Sequence, residues 1–398
     1  MNSRSCYDLD CPFLDWTFAD SVERRKQLES LDSSVWMSRG IYGYVLHRYE
    51  DCSAILRDER WHNASTLATE MTGGTTGRPS SLTSAEGQTH ARLKRLVTPA
   101  FSPRAADKIR PFMREILEEQ ISQIASKGQA ELMGGIFNLF PVQVIAELIG
   151  APRSDWEPFN KWAEDILVIY KENALEQIGI LFKAAVELQE YVRSLIAERR
   201  LNPGGDIISS LIAAGDEHDQ LDDDEMVMLL QSIIVGGTDT TRNQIGLAVA
   251  TLLENRDQWQ LVVENPDLAE SAAEEAIRYL PITSTLARFA SEDIVYRDVL
   301  FPRGTLISLA LAQANKDPKV FPDPHAFDIR RVQTRPNMTF GGGIHYCLAA
   351  SLARAEIQEV IRMLAIKLPD LRIDGHVTWK DPLQGVFGPE KLPVSFTA

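Results

Sequence analysis

The passage from residue 221 to 253 sets the tightest limit on what this chain can become. "MVMLLQSIIVGGTDTTRNQIGLAVATLL" (226–253) is long and apolar enough to suggest a membrane span, yet its middle carries Asp239, Thr240, Arg242 and Asn243. Charged and amide groups at that depth are costly in lipid, so a helix buried in protein is the better reading. Asp222, Asp223, Asp224 and Glu225 stand where acidic residues favour a helix N-terminus. Inside such a helix Gly236 and Gly237 each cost about 1 kcal/mol relative to alanine, and Asp239 must be paired or hydrated. The glycines let a flat or small ligand approach the backbone. Thr240 and Thr241 can bond back to carbonyls one turn earlier, leaving a groove with a hydroxyl and a carboxylate at its lip. A helix kink with satisfied polar groups is the plainer alternative.

A second constraint lies near the end of the chain, in "NMTFGGGIHYCLAASLARAE" (337–356). A flexible loop or an exposed thiol would account for the glycines, but not for the helix-forming residues that flank them. In "SAAEEAIRYLP" (271–281), Glu275 and Arg278 stand three apart on one helical face and can pair. On a surface such a pair contributes little.

The remaining sequence reads as mostly helical with a small β part, in one domain spanning 1–398. Helical periods run from His90 to about residue 125, broken at Pro99 and Pro103, and through 132–149, 154–171, 176–200 and 205–214. A strand, a turn and a helix are expected over 41–60, and strands around Pro302-Arg303-Gly304 and in the terminal "PVSFTA". Residues 63–89, rich in Gly, Ser, Thr and Pro, sustain no period and form a long loop of the kind that is usually functional or disordered.

With 398 residues, 44% of them hydrophobic, the chain can bury a large core. Its net charge of −15 argues against a nucleic-acid partner. Cys6, Cys11, Cys52 and Cys347 are too few and scattered for a disulfide framework. The opening "MNSRSCYDLDCPFLDW" has no apolar signal core, so a reducing cytoplasmic setting is expected. Cys6 and Cys11 lack the second pair that a zinc site would need, and free thiols are the expectation.

Taken together and in order, four stretches resemble the cytochromes P450 of the soluble bacterial type. "FGGGIHYCLA" (340–349) is similar to the family's haem-binding signature, with Ala349 where glycine is also frequent. Glu275 and Arg278 match its ExxR pair, "GGTDTT" (236–241) its oxygen-binding groove, and "ANKDPKVFPDPHAFDIRR" (314–331) the segment leading into its meander. The resemblance spans at least His90 to the C-terminus. It implies a mainly α fold with a small β portion, and haem b (iron protoporphyrin IX) held between the long central helix and the helix after the cysteine loop.

By that resemblance Cys347 is the thiolate ligand of iron, and the helix beginning behind it would favour the thiolate. Arg288, His345, His90 and Lys94 are implied partners of the haem propionates. Lys94 stands where the family normally has arginine, keeping the charge but losing the fork. Asp239 and Thr240 match the acid and alcohol that relay protons during oxygen activation. Glu275, Arg278 and Arg331 would form a buried charge network holding the cysteine loop. Ser232, Val235, Gly236, Ser284, Val386 and Phe387 fall at substrate-facing positions, with loop 63–89 and the "GVFG" turn at 385–388. That mixed lining suits a mid-sized molecule bearing oxygen or nitrogen.

The activity implied is monooxygenation of a small organic substrate by O2, as a step of secondary metabolism, with a ferredoxin and ferredoxin reductase as electron donors. No flavin-binding or iron–sulfur pattern is present in the chain. Arg92, Lys94, Arg95, Arg104 and Arg354 are candidates for the basic face that an acidic ferredoxin would meet. Oxidative coupling or desaturation without oxygen insertion is the alternative, and a haem sensor or electron carrier is a third class that needs neither groove nor long loop.

Overall fold

The computed structural model describes residues 4–14, 35–40, 43–72, 81–166, 176–214, 221–380 and 386–398. Residues 41–42, 73–80, 167–171 and Gly385, which carry parts of the patterns above, lie outside them. The chain forms two compact units. One comprises Met1–Ala91, Thr283–His325 and Gln333–Cys347, the other Arg92–Ile282, Ala326–Val332 and Leu348–Ala398.

The first unit is built on strands β1 (Met37–Gly40), β2 (Gly43–Leu46), β3 (Trp61–Asn63), β4 (Leu286–Ala290) and β5 (Leu306–Leu309). They form one sheet in the order β1-β2-β5-β4-β3, parallel only between β2 and β5. Between β2 and β3 runs helix α1 (Tyr49–Arg57). Its Tyr49, Cys52, Ile55 and Leu56 recur at helical spacing and are buried in a cluster with Leu46, Trp61, Phe301 and Phe321. In β4, Arg288 stands directly opposite Asn63 of β3.

Helix α2 (Gly87–Val97) begins in this unit and runs on across its edge. Pro99 stops it, and after a single 3₁₀ turn helix α3 (Pro103–Ala125) follows in the second unit, which begins at Arg92. Ser102 caps α3 by accepting from the Ala105 amide at 3.3 Å, with Pro103 at the first helical position, where its missing N–H costs nothing.

The second unit continues with α4 (Phe140–Ile149), α5 (Trp156–Ile166), α6 (Ile178–Leu201), α7 (Asp223–Glu254), α8 (Ala269–Tyr279) and α9 (Ala350–Lys367). Helix α7 is the expected central helix. Asp222 and Glu225 close a capping box at its start, and α4, α5, α6, α8 and α9 all pack on it. Being enclosed on most sides, it is apolar nearly all round. The helix runs unbroken through Gly236–Thr241, so the expected groove lies on its surface and is not a gap in its backbone. Short strands β6 (Thr378–Trp379) and β7 (Pro389–Lys391) pair as an antiparallel hairpin. The terminal Pro393–Ser395 is a strand as expected, between Arg372–Ile373 and Gln129–Glu131.

Candidate active site

The glycine run before Cys347 is a seat. Gly341 and Gly343 have φ of +72° and +63°, a region closed to most side chains. A Cβ on Gly343 would lie 1.9 Å from the carbonyl oxygen of Leu56, at the end of α1, and one on Gly342 would lie 3.2 Å from the Leu56 side chain. Hydrogen bonds close the loop: the Cys347 amide donates to the Phe340 carbonyl at 2.9 Å and the Gly341 amide to Met338 at 2.8 Å. Asn315 braces it from outside, donating to Thr339 Oγ1 at 3.0 Å and accepting from the Met338 amide at 2.6 Å. Cys347 forms no disulfide among the described residues and is partly buried, and α9 begins three residues later at Ala350.

Beside the loop, three of the four residues expected to meet propionates come together in the first unit. His90 is buried on α2, its ring centroid 4.5 Å from that of His345. Arg288 is only 4% exposed, yet among the described residues its side chain's one hydrogen bond runs from Nη1 to the neighbouring Ala287 carbonyl at 2.9 Å. Burial holds its pKa below the ordinary guanidinium value, against the pull of Glu86. A guanidinium offers a fork of N–H donors, and leaving most of it unused inside a protein is costly unless an anion is bound there. These residues therefore fit a cofactor that carries carboxylates. Lys94 follows one turn after His90 on α2, half-buried, in the second unit.

Glu86, inside the stretch expected to be a loose loop, joins this group. Its Oε2 lies 2.9 Å from His345 Nε2, and its Oε1 accepts from the Asn63 amide at 2.7 Å. Burial pushes its pKa up, but His345 and the Asn63 amide outweigh that and hold it below the usual carboxylate value.

On α7, in the second unit, the two glycines have different jobs. A Cβ on Gly237 would lie 2.7 Å from Ile145 Cδ1, so this glycine lets α4 pack close. At Gly236 a Cβ would meet nothing within 4 Å among the described residues, so of the two glycines this is the one that opens the helix face. Thr240 Oγ1 donates to the Gly236 carbonyl at 2.6 Å, as expected; the second back-bond comes from Thr238 to Val235 at 3.4 Å, where Thr241 was expected. Asp239 is buried, and its Oδ1 accepts from Arg242 Nε at 2.6 Å and Asn243 Nδ2 at 3.0 Å, with Lys380 Nζ at 3.6 Å. Burial, the larger influence, lowers the Lys380 pKa despite Asp239. Arg242 in turn reaches Glu164 of α5 at 2.6 Å.

Of the expected substrate positions, Ser232 and Val235 are half-buried on α7, and Ser232 Oγ donates to the Met228 carbonyl at 2.8 Å. Val386 and Phe387 are half-buried beside the β6–β7 hairpin, Phe387 stacked on Trp379 with centroids 5.7 Å apart. The next residue, Gly388, presses its backbone on α7: a Cβ there would lie 2.5 Å from Asn243 Oδ1. Ser284, in the first unit, is half-buried, and its carbonyl accepts from the Ala312 amide at 3.0 Å.

The ExxR pair is buried in the second unit. Arg278 clasps Glu275 through Nε and Nη2 and also reaches the Ala326 carbonyl at 3.2 Å. Arg331 Nε donates to the same carboxylate at 3.0 Å, and the Asp328 amide donates to it at 3.1 Å, fastening segment 326–331 to α8. Of the expected basic face, Arg92 lies against Glu225 and Arg354 against Glu274, while Arg95 and Arg104 are exposed.

Comparison with known proteins agrees with this geometry. Residues 34–365 match the family model for cytochrome P450. The chain is 32% identical to luteothin monooxygenase of Streptomyces thioluteus, over 98% of this chain and 97% of that protein. It is 33% identical to nocardicin C N-oxygenase of Nocardia uniformis subsp. tsuyamanensis, over 89% of each. Among solved structures it resembles P450BioI, crystallised with an acyl carrier protein ligated to hexadec-9Z-enoic acid, with a TM-score of 0.81, 30% identity and coverage of 93% of this chain and 98% of that one. The chain belongs to the cytochrome P450 family and is an oxidoreductase of its haem-dependent monooxygenase kind.

Proposed function

We propose that this protein is a single-domain, cytoplasmic monooxygenase of bacterial secondary metabolism that holds haem b through Cys347. The observation that carries the reading is the cysteine loop itself, whose glycines are shaped to a fixed seat against Leu56. Thiolate-ligated haem, when bound, supplies the activation of O2. Arg288, His90, His345 and Lys94 would neutralise its propionates, the buried Arg288 having most of its donors to give. Glu275, Arg278 and Arg331 keep the segment leading to the cysteine loop in register.

On α7, Asp239 is the acid positioned to take up and pass on protons. Arg242, Asn243 and Lys380 converge on its Oδ1, so among the described residues Oδ2 is the atom left for transfer. Thr240 can hold a proton at Oγ1 while that hydroxyl is anchored on the Gly236 carbonyl. Gly236 supplies the open face, and Ser232, Val235, Ser284, Val386 and Phe387 would shape the substrate space. Relatives named for oxidising luteothin and nocardicin C favour a natural product bearing oxygen or nitrogen as substrate. Electrons would come from a ferredoxin and its reductase, with the exposed Arg95 and Arg104 among the cations that an acidic partner would meet.

Reduced protein under carbon monoxide should give the red-shifted Soret band of thiolate ligation, and Cys347→Ser should abolish it. An imidazole-type band in the wild type overturns the reading.

A further inference from the structure

We propose that Glu86 is a positioning residue for the haem carboxylates, acting through His345. The inference rests on the haem reading above. Glu86 bridges three elements of the first unit at once. Its Oε2 holds His345 Nε2 of the cysteine loop at 2.9 Å, its Oε1 holds the Asn63 amide of β3 at 2.7 Å, and its carbonyl accepts from the His90 amide of α2 at 3.3 Å. The side chains of Glu86 and His345 are only 12% and 10% exposed, so water competes little for this contact.

Each end of the bridge lands on or beside a residue assigned to the cofactor. Asn63 is the cross-strand partner of Arg288, and the His90 ring packs on His345. Gly87, at φ +54°, makes the turn that brings the carboxylate in before α2 begins. With Nε2 committed to Glu86, the ring of His345 is fixed in rotation and Nδ1 is its remaining polar atom. A carboxylate that orients a metal-ligating histidine is worth about ten- to a hundredfold in affinity, and the same fixing of the ring applies to a histidine that meets a carboxylate. A simple ion pair tying a loop to a helix would need neither the second anchor on Asn63 nor the adjacency to His90 and Arg288.

The test is a double-mutant cycle on the holoprotein with wild type, Glu86→Gln, His345→Ala and the double variant. The readouts are the rate of haem transfer to excess apomyoglobin and the ferric–ferrous midpoint potential. Glu86→Gln keeps an oxygen for the Asn63 amide and should speed haem loss about tenfold. It should add nothing once His345 is alanine. Glu86→Asp keeps the charge but shortens the reach, and should lose haem as Gln does even if one of the other variants folds poorly. An equal effect of Glu86→Gln in both His345 backgrounds, or an Asp variant indistinguishable from wild type, overturns the proposal. A wild-type protein that takes up no haem overturns the cofactor reading, and this inference with it.

Discussion

Glu275 and Arg278 meet through both carboxylate oxygens, at 2.7 and 2.8 Å, on side chains 1% and 0% exposed. At the surface such a pair would contribute little. Here Arg331 and the Asp328 amide share the same carboxylate, so loss of Glu275 strands two guanidinium groups away from water. Glu275→Gln should therefore cost about 3–5 kcal/mol in urea unfolding. A loss below about 1 kcal/mol would mean that the network behaves as a surface pair.

Gly236 and Gly237 are neighbours with opposite expected responses to alanine. Gly237→Ala drives a methyl group into Ile145 at 2.7 Å, and overpacking of about 1–3 kcal/mol should outweigh the gain in helix propensity. Gly236→Ala meets nothing and should raise stability by up to about 1 kcal/mol. It should also weaken the spectral shift produced by bound ligands, because it fills the open face. Thermal unfolding of both variants, with ligand titration of the second, checks the pair; equal destabilisation by the two would refute the assignment.

Asp239 is fixed on one oxygen by Arg242 and Asn243, with Lys380 close by. Asp239→Asn should keep most of that packing while removing the acid. Product formed per electron delivered should fall by roughly a hundredfold, and the solvent isotope effect should rise. Lys380→Met should fall between this variant and wild type. An unchanged product-to-electron ratio in Asp239→Asn would end its role as a proton carrier.

His47 gives the fold a defined acid weakness. It is buried, its Nε2 has no hydrogen-bond partner among the described residues, and burial, aided by Arg48 and opposed by Asp317, lowers its pKa from 6.5 to about 4. The unfolded chain takes up this proton near pH 6.5, whereas the folded chain resists until about pH 4. Stability from this group is thus intact above pH 6.5 and lost as pH falls towards 4, by about 2 kcal/mol between pH 7 and 5. His47→Asn should flatten that part of the urea-midpoint profile; an unchanged slope would assign the weakness to another group.

Much of this was readable from local chemistry. The capping acids before α7, the break at Pro99 and the ExxR spacing depend on neighbours a turn or less away, so residue order reveals them. Strand β4 was not anticipated: "LARFA" places a buried arginine among apolar residues, and only the sheet around it explains why Arg288 is tolerated there. Gly237 read as a ligand-facing glycine because its true neighbour, Ile145, is distant in sequence. Lys380 and Glu86 were missed for the same reason, each meeting its partner only through tertiary folding. Arg242, three residues after Asp239 on one helix, did carry a visible signal.

The contact between Gly343 and Leu56 also has a consequence in time. Leu56 leaves the ribosome well before Gly343, and domains fold as units while the chain emerges. Helix α1 thus cannot complete its half of the contact until the segment carrying Gly343 has left the exit tunnel. A chain cut short before Gly343 therefore lacks both the seat and Cys347, the proposed ligand of iron.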